Sequence, residues 1–275
     1  MKIPKFIRRR PFDRRLLAPM IVVLAAAVCG LALFLRQPKA IETGAWGLSF
    51  QKEGQPPAGT ASQETLDAYG AAYRGNTDEK VLYLTFDLGY EAGYTATILD
   101  VLKAHDAPAA FFVVGSYLES QPELVRRMAK EGHIVGNHTW HHYDMSRISD
   151  PAVFREELER VAEQYRAVTG EAMPPYYRPP QGIYSEDNLA QAQALGYHTV
   201  FWSLAYVDWK QDAQPAKSEA YDKLIPRMHP GCILLLHATS KTNAEILDDL
   251  LTRYEQEGYR FGTLDELFAA KTGAA

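Results

Sequence analysis

Residues 81–91 read VLYLTFDLGYE. The run from Val81 to Phe86 is apolar apart from Thr85; it stops on a carboxylate, Asp87, and a turn glycine, Gly89, follows. A short β-rich run closed by glycine is the pattern of a buried strand. An acid at the last strand position, just before a loop, is where α/β folds put chemistry. An Asp there also serves as a cap for the next helix, so Asp87 needs partners elsewhere in the chain before it reads as a catalytic group.

Working outward, strand and helix patterns alternate from Lys80 onward. The strand at 81–87 leads to a helical stretch at 94–105, and an AAFFVV strand at 109–114 leads to a helix around 121–131. A short strand at 133–136 is followed, after a loop, by a charged helix at 151–168. Then come Tyr176–Arg178, a helix near 185–195, a strand at 197–203 and a helix near 218–228. Strand 232–237, helix 243–257, a short strand at 259–262 and a last helical turn complete the series. Repeated β-then-α units imply a parallel sheet, open or closed into a barrel. Seven or so units in about 195 residues fall short of a full eight-unit barrel.

Before residue 80 the chain has a different character. Residues 1–15 hold seven Lys/Arg against one acid, and 16–35 is a run of twenty residues without a charge. That length crosses a hydrocarbon core of about 30 Å, and the positive flank would stay in the cytoplasm with everything after Arg36 outside. An uncleaved single-pass anchor is expected, with a cleaved signal and a secreted domain as the alternative; Pro38-Lys39-Ala40 is a poor cleavage site. Residues 36–79 read as a linker and cover segment, turn-rich at 54–60, in which the alternating Trp46, Leu48 and Phe50 suggest a short strand packed on the main domain. Of 29 Lys/Arg and 34 Asp/Glu in the chain, 22 and 33 lie beyond residue 35. A domain at −11 does not suit a nucleic-acid partner. Cys29 and Cys232 are about 200 residues apart, so neither a disulfide nor a structural zinc cluster is expected.

The chemistry-bearing residues collect at strand ends. Asn137-His138-Thr139-Trp140-His141-His142 places three of the chain's eight histidines within five residues. At a spacing of four, His138 and His142 would share one face of a helical turn and suit a divalent metal; a polar loop with histidines on nearby carbonyls is the plainer alternative. In Arg178-Pro179-Pro180-Gln181-Gly182 the prolines fix an extended path and Gly182 permits a tight turn. Arg178 is thereby rigidly placed, as a surface charge or as a bidentate clamp on Asp87. Asp208 closes another strand, and ILLLH ends on His237. In a parallel sheet Asp87, Arg178, Asp208 and His237 would share one rim with the histidine loop.

The set TFDLG, HTWHH, RPPQG, DW and LLLH resembles the five ordered motifs of the polysaccharide deacetylase family, the NodB-homology or family 4 carbohydrate esterases, over residues 80–270. The resemblance implies an α/β fold, a deformed (β/α) barrel of about seven parallel strands, with a divalent metal, usually zinc, at the C-terminal rim. It casts Asp87 as general base, Arg178 as the residue that orients it, His237 as general acid and Asp208 as its support. His138 and His142 would hold the metal, Trp209 and Leu235 would shape the acetyl pocket, and the Gln181 backbone N–H would help hold the oxyanion.

One position departs. Most of the family has a second Asp after the base as third metal ligand, and here that residue is Leu88. Two histidines leave a zinc site incomplete, and Leu88→Asp is expected to restore a ligand. The stretches TFDLGYEAGYT, VGNHTWHHYDM, RPPQGIYSE and FWSLAYVDWK are similar to the δ-lactam-biosynthetic de-N-acetylases of spore formers. That likeness implies peptidoglycan glycan strands as partner and peptide-free N-acetylmuramic acid as substrate. A general chitooligosaccharide or N-acetylglucosamine deacetylase, and a glycan-binding protein without turnover, are the alternatives.

Overall fold

A computed structural model describes residues 44–272. The basic segment at 1–15 and the uncharged run at 16–35 lie outside the described residues. Among the described residues no helix is long and apolar enough to cross a membrane.

Eight parallel strands form the main sheet: β1 (Ala71–Ala72), β2 (Val81–Leu88), β3 (Ala109–Val113), β4 (Ile134–Asn137), β5 (Tyr176–Tyr177), β6 (His198–Val200), β7 (Cys232–His237) and β8 (Arg260–Phe261). They are ordered β7-β2-β3-β4-β5-β6-β1, with β8 paired to the start of β2. The sheet curls until its edges meet at isolated bridges, Leu204 to Leu234 and Arg74 to Cys232, instead of a continuous ladder. This is the deformed barrel that the alternating pattern and the resemblance imply. The strand beyond the expected seven is β1, inside the segment read as linker and cover. Two alanines carry too little hydrophobic signal to mark a strand.

All eight residues of β2 are buried, and side chains along a strand alternate faces. Leu82, Leu84, Phe86 and Leu88 pack outward against the helices at Thr95–Ala104 and Lys241–Gln256. Val81 and Tyr83 point inward with Phe112, Val200 and Ile233, above Leu267 and Phe268 of the C-terminal helix. Thr85 and Asp87 continue that inner row toward the C-terminal rim. The β2–β7 register places Asp87 beside His237 and Thr85 beside Leu235. One alternation therefore sorts hydrophobic support from chemistry.

The helix expected around 121–131 is present as Pro122–Lys130; a short helix at Gly115–Ser120 precedes it, separated at Gln121 because a residue before proline disfavours the helical region. Two local expectations are corrected. The stretch from Trp46 to Phe50 is not one strand: Gly44–Ala45 pairs with Ile183–Tyr184, and Leu48–Ser49 with Ala58–Gly59. The histidine loop is not helical. Thr139 and His142 both adopt left-handed backbone, at φ 68° and 60°, so the two rings approach through a tight loop.

Candidate active site

Arg178 follows β5, its N–H bonded to the Asn137 carbonyl, and its guanidinium is fully buried inside the curl. One terminal nitrogen donates to Asp87 Oδ1 at 2.8 Å. The other donates to Thr85 Oγ1 at 2.9 Å and to the Phe201 carbonyl, while Nε donates to the Val200 carbonyl at 2.9 Å. The plane lies 4.2 Å from the Phe112 ring centroid. The clamp on Asp87 is thus one hydrogen bond and not the bidentate pair, because the guanidinium divides its donors among four acceptors. Burial alone would push the Asp87 carboxyl up; the positive Arg178, with His138 and His237, outweighs it and holds the group below the ordinary Asp range.

On the neighbouring strand stands an acid–imidazole pair. His237 Nδ1 donates to Asp208 Oδ1 at 2.7 Å, and the His237 backbone N–H donates to Oδ2 at 2.8 Å. Asp208 is completely buried, and Asn243 Nδ2 donates a third bond to it at 2.6 Å. With Nδ1 engaged, Nε2 is the nitrogen left for proton exchange in the cavity. Burial would lower the His237 pKa; the Asp208 charge and hydrogen bond outweigh it, and the pKa is raised above the ordinary histidine value.

Between these pairs lies the histidine loop. His138 Nδ1 donates to the Arg178 carbonyl at 2.8 Å, which directs Nε2 toward Asp87, 3.6 Å from Oδ2. The His138 and His142 rings meet edge to face at 4.9 Å. Burial lowers both pKa values, that of His138 to about 4, so both are neutral imidazoles at pH 7. Neutral imidazoles with one nitrogen anchored are the form that binds a divalent ion, and the pair fits that role. Among the described residues no set of three His, Cys, Asp or Glu is placed to complete a site. An ion here would fill its remaining positions with water or substrate oxygen. The third histidine, His141, turns away to pair with Glu157.

Leu88 is not a vacant ligand position facing this site. Its side chain is fully buried in the helix-side core with Phe86 and Val113, on the opposite face of β2 from Asp87. An Asp at 88 would start from this apolar core and would have to turn toward the rim to serve as the expected ligand.

A cavity of about 510 Å³ opens over the pairs, and it brings together Asp87, His138, His142, Gln181, Trp209, Leu235 and His237. Tyr90, Trp202 and Thr239 complete its polar and aromatic wall. Arg178 and Asp208 sit behind it. Tyr90 and Trp209 are half exposed at the mouth, the setting in which aromatic faces receive sugar rings. The sequence left Thr85, Asn243 and Asn137 unnoticed. Thr85 Oγ1 accepts from Arg178 and donates a hydrogen bond to the Leu234 carbonyl at 2.7 Å. Asn137 Nδ2 donates to the Leu158 carbonyl, and its Oδ1 accepts from Thr139 N, which fixes the start of the histidine loop. Only the alternation of β2 offered a signal, by putting Thr85 on the same face as Asp87.

A carboxylate and an imidazole thus stand side by side at the rim of a curled parallel barrel, with two further histidines beside the carboxylate. The chain belongs to the polysaccharide deacetylase family, whose model matches residues 74–200. The peptidoglycan-N-acetylmuramic acid deacetylase PdaA of Bacillus subtilis is 46% identical over 227 residues, 82% of this chain and 86% of that protein. Its solved structure, a family 4 carbohydrate esterase, aligns with a TM-score of 0.80 at 45% identity over 85% of this chain and all of that one. A family pseudoenzyme of Bacillus anthracis aligns at 26% identity and a TM-score of 0.66, over 72% of this chain and 68% of that one.

Replacing Asp208 with Asn removes the anion that favours the His237 imidazolium. The acid form is then lost at lower pH, so the alkaline limb of the activity profile is expected to move down in pH. An unmoved limb in a pH–rate series contradicts the assignment. Leu88→Asp is expected to cost roughly 3 kcal/mol or more by burying a carboxyl in apolar core, with zinc affinity unchanged. Denaturant titration and calorimetry check both, and tighter zinc binding at unchanged stability contradicts the placement.

Proposed function

We propose that this chain is a peptidoglycan N-deacetylase that hydrolyses the acetamide of peptide-free N-acetylmuramic acid. The amine it frees would close on the lactyl carboxyl to give the muramic δ-lactam of spore cortex. The observation that carries the reading is the meeting, in one cavity, of a carboxylate bonded to the Arg178 guanidinium and an imidazole bonded to the buried Asp208. The substrate named for the Bacillus subtilis relative supports the choice of sugar.

The residues divide the work of amide hydrolysis. Asp87 takes a proton from water as the water oxygen bonds to the acetyl carbon. Arg178 keeps Asp87 ionised and aimed. The Gln181 backbone N–H serves the oxygen that gains charge. His237 Nε2 gives its proton to the nitrogen as the C–N bond breaks, leaving acetate and a free amine. Trp209 and Leu235 enclose the acetyl methyl. A divalent ion on His138 and His142 supplies polarisation of the carbonyl and a lower pKa for bound water, and zinc suits imidazole donors. The basic flank at 1–15 and the uncharged run at 16–35 support a membrane tether with this domain outside the cytoplasm, beside its glycan strands.

A second reading, a glycan-binding protein without turnover, is favoured by the absence of a third ligand set among the described residues. A chitooligosaccharide or N-acetylglucosamine deacetylase would use the same groups. Acetate release by the full chain, from peptide-stripped cortex peptidoglycan and from N-acetylglucosamine oligomers, with and without chelator, separates all three. Acetate and δ-lactam from the muramic substrate are expected, with loss of at least about a hundredfold in Asp87→Asn. No acetate under any metal, with glycan binding retained, would establish the second reading.

A further inference from the structure

The deacetylase reading places a backbone donor at Gln181, and the structure assigns its positioning to Trp46, in a segment whose sequence suggested only a cover. We infer that Trp46 and the strand before it hold the Gln181–Gly182 turn and the adjoining cavity wall in working geometry. Trp46 is a positioning residue: it acts through the turn, and it is not among the residues that line the cavity.

Gln181 and Gly182 both adopt left-handed backbone, φ 58° and 65°. A non-glycine residue there costs about 1 kcal/mol or more, so the turn relaxes unless its surroundings fix it. Inside the turn, Gly182 N donates to the Pro179 carbonyl at 3.0 Å. The exit is fixed from the other end of the chain. Trp46 N donates to the Gly182 carbonyl at 2.8 Å, and Gly44–Ala45 pairs antiparallel with Ile183–Tyr184.

The Trp46 side chain braces the next layer. Its indole N–H donates to the Trp202 carbonyl at 2.9 Å, and its ring stacks on Phe201 with centroids 4.7 Å apart. Trp202 lines the cavity, and the Phe201 carbonyl accepts from Arg178. There is little slack. A Cβ on Gly182 would stand 2.6 Å from the Trp202 ring and 3.2 Å from Trp46 Cβ. One side chain thus touches the supports of both the turn and the guanidinium.

A shifted turn weakens an interaction made mainly in the transition state, so its loss falls on kcat and spares KM. Removing an oxyanion donor outright costs about 10²–10³ in kcat; displacing one is expected to cost about ten- to a hundredfold. The test is acetate release by the full chain carrying Trp46→Ala or Trp46→Phe. Phe keeps a ring on Phe201 and lacks the N–H, so it preserves the fold if Ala does not. Trp46→Phe is expected to lower kcat about three- to tenfold, with KM within about twofold, a retained melting temperature and an unshifted pH profile. Trp46→Ala, where folded, is expected to lose more in the same pattern. Lower stability with kcat per folded molecule unchanged in both variants overturns the inference. A fall expressed wholly in KM also overturns it. A wild-type chain that releases no acetate overturns the deacetylase reading and this inference with it; an active wild-type chain whose variants keep the wild-type kcat overturns this inference alone.

Discussion

A guanidinium with no exposed surface is the constraint from which the rest of the site follows. Removing Arg178 and Asp87 from water costs several kcal/mol per ion. Arg178 offsets this with bonds to Asp87, Thr85 and the carbonyls of Val200 and Phe201, and with the face of Phe112. These acceptors come from β2, from β6 and from the residue just after β6. A guanidinium bonded to all of them fixes one side of the curl to the other. Its own carbonyl then orients His138, so one residue sets the charge of the base and the tautomer of the imidazole beside it.

The second constraint is register. Parallel pairing of β2 with β7 puts Asp87 and His237 side by side, and a slip of one residue in either strand would send its rim residue to the helix layer. The two imidazole sites gain opposite character from their neighbours. His237 has the buried Asp208 bonded to it, which raises its pKa. His138 faces a carboxylate already matched by Arg178 and stays neutral. Asn243, at the start of the helix after β7, holds Asp208 and ties acid chemistry to a helix cap.

Much of this was legible in the chain. The apolar run ending on Asp87, the strand ending on His237 and the β-then-α rhythm marked a parallel sheet and its rim, because fully buried strands leave strong local patterns; the barrel came from the resemblance. Other features were not legible, because they depend on contacts far apart in sequence. The two-alanine strand β1 takes its place only from its neighbour β6. The 44–45 strand is defined by its partner at 183–184. The face of β2 on which Leu88 lies follows from parity, yet motif position alone suggested a missing ligand. The spacing of His138 and His142 suggested a helical turn, and left-handed residues at 139 and 142 made a loop instead.

The placement of Leu88 changes how the two-histidine site is understood. The residue contributes to the core that supports Asp87 from behind, so the helix-side packing and the metal complement of the rim are separate matters. What the account requires above all is that Asp87 remains a carboxylate while buried. The most direct measurement is the titration of the Asp87 carboxyl carbon by NMR in the full chain. The expected result is ionisation below the ordinary Asp value of about 3.9, moving upward in Arg178→Lys, which cannot reproduce the planar fork. A carboxyl that titrates at or above the ordinary value in the wild-type chain would contradict the account.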